Sequence, residues 1–128
     1  MDWQIIEDGN VLLTIRIYDK ILFFIIDNAK SSIIKSFDPW KDSIIITECQ
    51  LVWLDELNKI KSQMQDKVKR SLGSKTKIPK DKDLYNQIIL TKLDENPNLF
   101  PYWKILKEVE AFMEIALNML LSIYCFTD

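Results

Sequence analysis

Apolar and polar positions change their period partway along the chain. In the first third the period is two, or the apolar run is unbroken. Trp3 to Ile6, then Glu7-Asp8-Gly9-Asn10, then Val11 to Tyr18 predicts a hairpin, with Thr14 and Arg16 alternating against Leu13, Ile15 and Ile17. Asp8-Gly9 suits the tight turn, because glycine accepts positive φ without a steric cost. Tyr18-Asp19-Lys20 reads as a second turn, and the unbroken run Ile21 to Ile26 as a central strand covered on both faces and ended by Asp27-Asn28. Ser31 to Phe37 reads as a fourth strand. Asp38-Pro39-Trp40 breaks it, since proline restricts its neighbour and donates no hydrogen bond. Ser43 to Ile46 is either a short fifth strand or the start of the following helix.

From there the period is helical. Thr47 with Gln50 three positions later forms a capping-box pattern. Trp53, Leu57, Ile60, Met64 and Val68 then recur at i+3 and i+4 steps, predicting a helix over 47–72 with a loop over 73–80. Asp81 or Asp83 can cap a shorter helix over 81–93, with Leu84, Ile88 and Leu93 inward. Asn96-Pro97-Asn98 punctuates, and Pro101 suits a helix start. Leu106, Val109, Met113, Ala116, Leu120 and Tyr124 give the stripe of a last helix over 101–126. Its apolar half from Ile115 should lie deep, between the sheet and the Trp53 helix. At about half of the roughly 20 residues a bilayer span needs, it reads as a buried helix and not an anchor.

Strands over 1–46 followed by helices predict one α+β domain over 1–128. It would hold an antiparallel sheet of 3–5 strands packed on two long helices and one short helix. An apolar share of 48% is enough for one core and argues against disorder. MDWQIIE is not a secretory leader, so a cytoplasmic location is expected, with Cys49 and Cys125 as free thiols.

Charge adds an asymmetry that the net value of −2 hides. Between Lys59 and Lys82 nine bases face only Asp66 and Asp81, a local +7, which leaves −9 for the rest. The basic segment, with Lys67, Lys69, Arg70, Lys75 and Lys77, could hold nucleic-acid phosphates. It carries no aromatics for base stacking, and lysines near a helix C-terminus also serve the helix dipole.

The usual catalytic groups are missing. The chain has no histidine, which excludes Ser-His-Asp and Cys-His arrangements. Its two glycines, Gly9 and Gly73, cannot build a phosphate-cradling loop. Two lone cysteines fall short of a zinc site. No cofactor or metal is expected, and binding is a better reading than catalysis. Asp55 and Glu56 point in different directions on a helix, whereas Glu110 and Glu114 share a face, either solvated or turned toward a partner. Trp40, flanked by charge in a loop, is either an interface anchor or a cover for the sheet edge. The sequence offers two partner-binding surfaces. One holds Asp38, Trp40, Asp42, Asp55 and Glu56. The other holds Asp94, Glu95, Phe100 and Tyr102.

A short, mildly acidic, strand-first chain without catalytic motifs resembles the bacterial immunity proteins of contact-dependent inhibition and other polymorphic toxin systems. The resemblance spans the whole chain but rests on size, charge and architecture. It implies a tightly bound cognate toxin domain, often a nuclease, whose basic cleft the inhibitor covers. It carries over no particular residue. The competing readings are a nucleic-acid-binding or regulatory domain using 59–82, and a subunit or homodimer through the apolar last helix.

Overall fold

A two-residue turn sets the first hairpin. Asp8 and Gly9 take φ of 51° and 79°, and this pair of positive values matches the right-handed twist of the flanking strands. The computed structural model describes residues 1–73, 80–97 and 100–128. Strands β1 (Asp2–Glu7) and β2 (Asn10–Arg16) flank the turn. Two more follow, β3 (Ser43–Ile45) and β4 (Ile123–Phe126), giving an antiparallel sheet of order β2-β1-β4-β3. Five helices complete the α+β fold: α1 (Asp19–Asn28), α2 (Ser32–Lys35), α3 (Thr47–Gly73), α4 (Lys82–Glu95) and α5 (Trp103–Asn118). Ile5 pairs with Leu13 but Ile6 with Val11, so Leu12 is an extra residue in β2. That bulge kinks the edge strand, a device that discourages a further strand from adding there.

Three predicted elements differ from those observed. The run Ile21 to Ile26 is the body of α1, not a central strand. A short apolar run fits either element. Here Leu22, Ile25 and Ala29 face the core at helical spacing while Phe23 is exposed. Ser31 to Phe37 is the one-turn helix α2, because the Ser31 side chain accepts a hydrogen bond from Ile33 N and caps it.

The largest difference is at the end of the chain. The last helix stops at Asn118 instead of running to 126. Leu121 N bonds to Ala116 O and Leu120 N to Leu117 O, each at 3.0 Å, the paired bonds of a Schellman turn. Leu120 occupies the left-handed position of that turn, with φ 56°. Glycine normally stands there, and without it the sequence offers no stop signal. Ile123 to Phe126 then alternates inward and outward as β4. The apolar tail is therefore not a deep helix: Met119 and Leu120 are exposed, and Tyr124 sits on a strand.

Leu120→Gly is expected to stabilise the fold by about 1 kcal/mol, since an L-residue in the left-handed region costs roughly 1–2 kcal/mol and glycine gives part of that back in chain entropy. Urea unfolding at low protein concentration measures it.

The α3 stripe holds: Trp53, Leu57, Ile60, Met64 and Val68 are all buried. Asp81 caps α4, accepting from Asp83 N at 2.9 Å and Leu84 N at 3.3 Å. On α4 Leu93 is buried as expected, but Ile89 is buried where Ile88 was expected, Ile88 is half-buried and Leu84 is exposed. The capping-box partner Gln50 does other work. Its fully buried amide donates to Ile45 O at 3.0 Å and Leu121 O at 2.8 Å, tying the start of α3 to β3 and to the α5–β4 turn. Trp3, Trp53 and Phe37 form an edge-to-face trio with ring centroids 5.3–5.9 Å apart, joining β1, α3 and the segment after α2.

Candidate functional site

Strand register decides which side chains share a face. Trp3 and Ile5 of β1, Ile45 of β3, and Ile123 and Cys125 of β4 point into the core. The residues between them point the other way, onto a face that no described element covers. Across it run three rows. Arg16, Asp2 and Phe126 form one; Thr14, Gln4, Tyr124 and Ile44 the next; Val11 and Ile6 the last. Val11 is 53% exposed and Ile44 56%, and Phe126 is also exposed, while Ile6 and Tyr124 are half-buried among their neighbours. An outer sheet face is usually polar, so this apolar and aromatic centre needs a reason.

Acids stand at both ends of that face. Arg16 Nη1 pairs with Asp2 Oδ1 at 3.0 Å, and Nη2 with Asp128 Oδ1. Asp128 Oδ2 lies 3.3 Å from the Met1 ammonium. Local desolvation pushes the Asp128 carboxyl up, but bonds and charge from Met1 and Arg16 outweigh it and hold it below its ordinary value. The Asp128 hydrogen bond and charge raise Arg16 in turn. Asp42 Oδ1 accepts from Thr127 N at 2.8 Å and its hydroxyl at 3.1 Å, placing a further acid beside the end of β4. Glu7 and Asp8 stand exposed at the hairpin tip. The four strands carry no lysine, and Arg16, their one base, is already held by two carboxylates.

The five residues of the first sequence-derived surface do not form one patch. Trp40 is 66% exposed, its ring 6.1 Å from that of Phe23. Asp38 Oδ1 accepts from Trp40 N at 2.9 Å and shapes that loop, which ends at Asp42 on the rim of the sheet. Asp55 lies on α3, paired with Lys59 at 3.0 Å. Glu56 is not on the surface. It is 4% exposed, and its two carboxylate oxygens accept from Lys30 N at 3.3 Å and Ser31 N at 3.0 Å. Those are backbone donors at the α1–α2 junction, so the carboxylate pins a turn and is not offered to a partner. Glu56→Gln is expected to cost about 2 kcal/mol, because a charged acceptor bonds more strongly than a neutral one and one donor loses its partner. Thermal unfolding checks this.

The second surface is also partly structural. Asp94 Oδ1 accepts from Trp103 Nε1 at 3.1 Å and from Lys107 Nζ at 3.0 Å. Trp103 is buried between Lys61 and Lys107, whose ammonium groups lie 5.7 and 5.5 Å from its ring. Tyr102 stacks on Phe24 at 4.6 Å. Phe100 borders a groove of about 210 Å³ with Phe24, Ile60, Met64 and Tyr102, and Glu95 is exposed. Glu110 does not share a solvated face with Glu114. It is turned to Lys61, whose Nζ lies 2.8 Å from Oε2 as an ion pair, without the alignment of a hydrogen bond.

The basic segment is only partly free for phosphates. Lys59 is held by Asp55, and Lys61 by Glu110 and Trp103. Lys75, Lys77 and residues 74–79 of the loop expected over 73–80 lie outside the described residues, as does Asn98. Among the described residues no three acidic or soft ligands converge. The thiols are unpaired, and burial pushes Cys125 up to about 12, with Ser43 pulling slightly the other way. No described helix is long and apolar enough to cross a membrane.

Sequence reasoning missed the open face because it needs β4. Read as helix, Tyr124 and Phe126 fall on different sides; read as strand, they line up with Gln4 and Asp2. The outward set on β2 was visible in the alternation of Thr14 and Arg16. No protein family, no curated protein and no solved structure matches the chain.

Proposed function

We propose that this chain is a non-catalytic protein-binding module that covers a basic partner through the open face of its sheet. One observation carries the proposal: an uncovered face with apolar and aromatic side chains across its middle and carboxylates at its two ends. That is the anatomy of a docking surface, with a dry centre for affinity and a charged rim for orientation. Carboxylates speed encounter with a basic surface and repel an acidic one. The loop ending at Asp42 adds Trp40 as a second exposed aromatic near one corner.

A basic, substrate-binding cleft on a nuclease toxin fits this description. The role is then that of an immunity protein, which blocks its cognate toxin in the cytoplasm by occupying that cleft. The profile-level resemblance points the same way. The rival use of Lys59 to Lys82 for nucleic acid loses support from the internal engagement of Lys59 and Lys61.

The test is protection. Cells expressing the toxin domain encoded beside this gene are expected to survive when the chain is co-expressed. They are expected to die when it carries Ile44→Lys and Phe126→Lys, with circular dichroism confirming that the variant is folded. Lack of protection by the unaltered chain, or equal protection by the folded variant, overturns the proposal.

A further inference from the structure

Asp2, Phe126 and Asp42 stand side by side across three strands at one end of the open face. Asp2 of β1 is the register partner of Phe126 of β4. Ser43 is the partner of Cys125, so the same register carried one residue back brings Asp42 opposite Phe126 on the other side. The two bonds from Thr127 to Asp42 fix that approach. Successive side chains on a strand point to opposite faces. Trp3, Cys125 and Ile45 face the core, so Asp2, Phe126 and Asp42 fall on the open face. The Phe126 ring, 39% exposed, therefore lies between two carboxylates.

Each of these carboxylates has an oxygen to spare. Asp2 Oδ1 accepts from Arg16 Nη1, and Asp42 Oδ1 from Thr127. Oδ2 of each has no hydrogen bond or ion pair among the described residues, and the Lys41 ammonium pairs with neither acid. The chain itself shows what such groups bind at this end of the sheet. The Arg16 guanidinium lies on Asp2 and Asp128, with Cζ 5.9 Å from the centre of the Tyr18 ring. Phe126 with Asp2 and Asp42 repeats those parts: one ring and two carboxylates.

We infer that Phe126 seats an arginine side chain of the basic partner, with the guanidinium flat on the ring and its edges on Asp2 and Asp42. The inference rests on the proposed function and names a group that the partner must present. A neutral group there would take two carboxylates out of water without bonding them, which is costly. Width then selects arginine over lysine. Neighbouring strands are about 4.8 Å apart, so the backbones of Asp2 and Asp42 stand about 10 Å apart across β4. An ammonium joins carboxylate oxygens at most about 5.6 Å apart, twice a bond of about 2.8 Å. A guanidinium adds about 2 Å of its own width, because its donors sit on separate edges. It also stacks on aromatic faces and is more weakly hydrated than an ammonium, so it gives up less on entering a dry contact.

Titration of the full chain with butylguanidinium and with butylammonium, followed by NMR, tests the seat without a partner. The guanidinium is expected to bind at least threefold more tightly, with shifts gathered on the Phe126 ring and the Asp2 and Asp42 carboxylates. Phe126→Leu keeps an apolar side chain, and Asp42→Asn keeps an acceptor for Thr127. Each is expected to abolish the preference, with circular dichroism verifying the fold. Equal binding of the two cations, shifts centred elsewhere, or a preference that survives both variants overturns the inference. Against the toxin domain of the proposed function, Phe126→Leu is expected to raise the dissociation constant at least tenfold. An unaltered chain that binds no such domain sinks the proposed function, whereas a domain bound equally by the chain and by Phe126→Leu sinks the arginine seat alone.

Discussion

Trp3→Ala is expected to remove about 4 kcal/mol of folding stability, within the 3–5 kcal/mol range for deleting a buried aromatic ring. A domain of this size has roughly 5–15 kcal/mol in total, so the loss is a large fraction of it. Trp3 is fully buried on β1, with its ring against Trp53 of α3 and Phe37 of the segment after α2. Its removal therefore opens the joint between sheet and helices and does not merely trim one layer. Trp3→Phe separates ring from polar group. The buried indole N–H has no hydrogen-bond partner among the described residues, so losing it forfeits no bond. The smaller ring is expected to cost less than about 2 kcal/mol. Trp40→Ala is the contrast. Two-thirds exposed, with its ring 6.1 Å from that of Phe23, it is expected to change stability by less than about 1 kcal/mol. Guanidinium unfolding of the three variants, followed by far-ultraviolet circular dichroism, gives all three values. Equal losses for Trp3→Ala and Trp40→Ala would contradict the assignment of the aromatic joint.

Much of this fold was legible because period and punctuation agreed. In α3 the stripe from Trp53 to Val68 met charged residues on the opposite face, and one helical reading satisfied both. At the hairpin Asp8-Gly9 admitted a turn that few other pairs can make. Where punctuation was missing, pattern alone failed. Ile21 to Ile26 is equally a buried strand or the covered body of a helix, and only the packing of Leu22 and Ile25 chooses. After α5 the chain turns at a leucine, so apolarity ran on with only Asn118 and Ser122 to interrupt it and concealed both the turn and β4. The candidate site was hidden for the same reason. Its carboxylates were visible in the sequence, but their roles depend on where side chains turn. Asp42 reached the sheet rim through Thr127, whereas Glu56 and Asp94 were taken up by backbone donors and by Trp103.

The open face also predicts how binding should divide between its two rates. Ile44 and Phe126 sit where a partner would exclude water, so a lysine there places an unpaired charge in a dry contact and faces a basic partner with its own sign. Each substitution is expected to weaken binding at least a hundredfold, about 2.7 kcal/mol, mainly by faster dissociation. Glu7 and Asp8, exposed at the hairpin tip, act at longer range through solvent. Glu7→Gln with Asp8→Asn is expected to slow association severalfold and flatten its dependence on salt, with dissociation nearly unchanged. Asp8 sits at positive φ, and asparagine tolerates that conformation, so the turn survives the change. Stopped-flow binding to the toxin domain proposed as the partner, at low and high salt, resolves the two effects. If neutralising the tip left association and its salt dependence intact, the carboxylates of the hairpin tip would play no part in recognition. If the lysines left dissociation intact, the apolar centre would lie outside the contact.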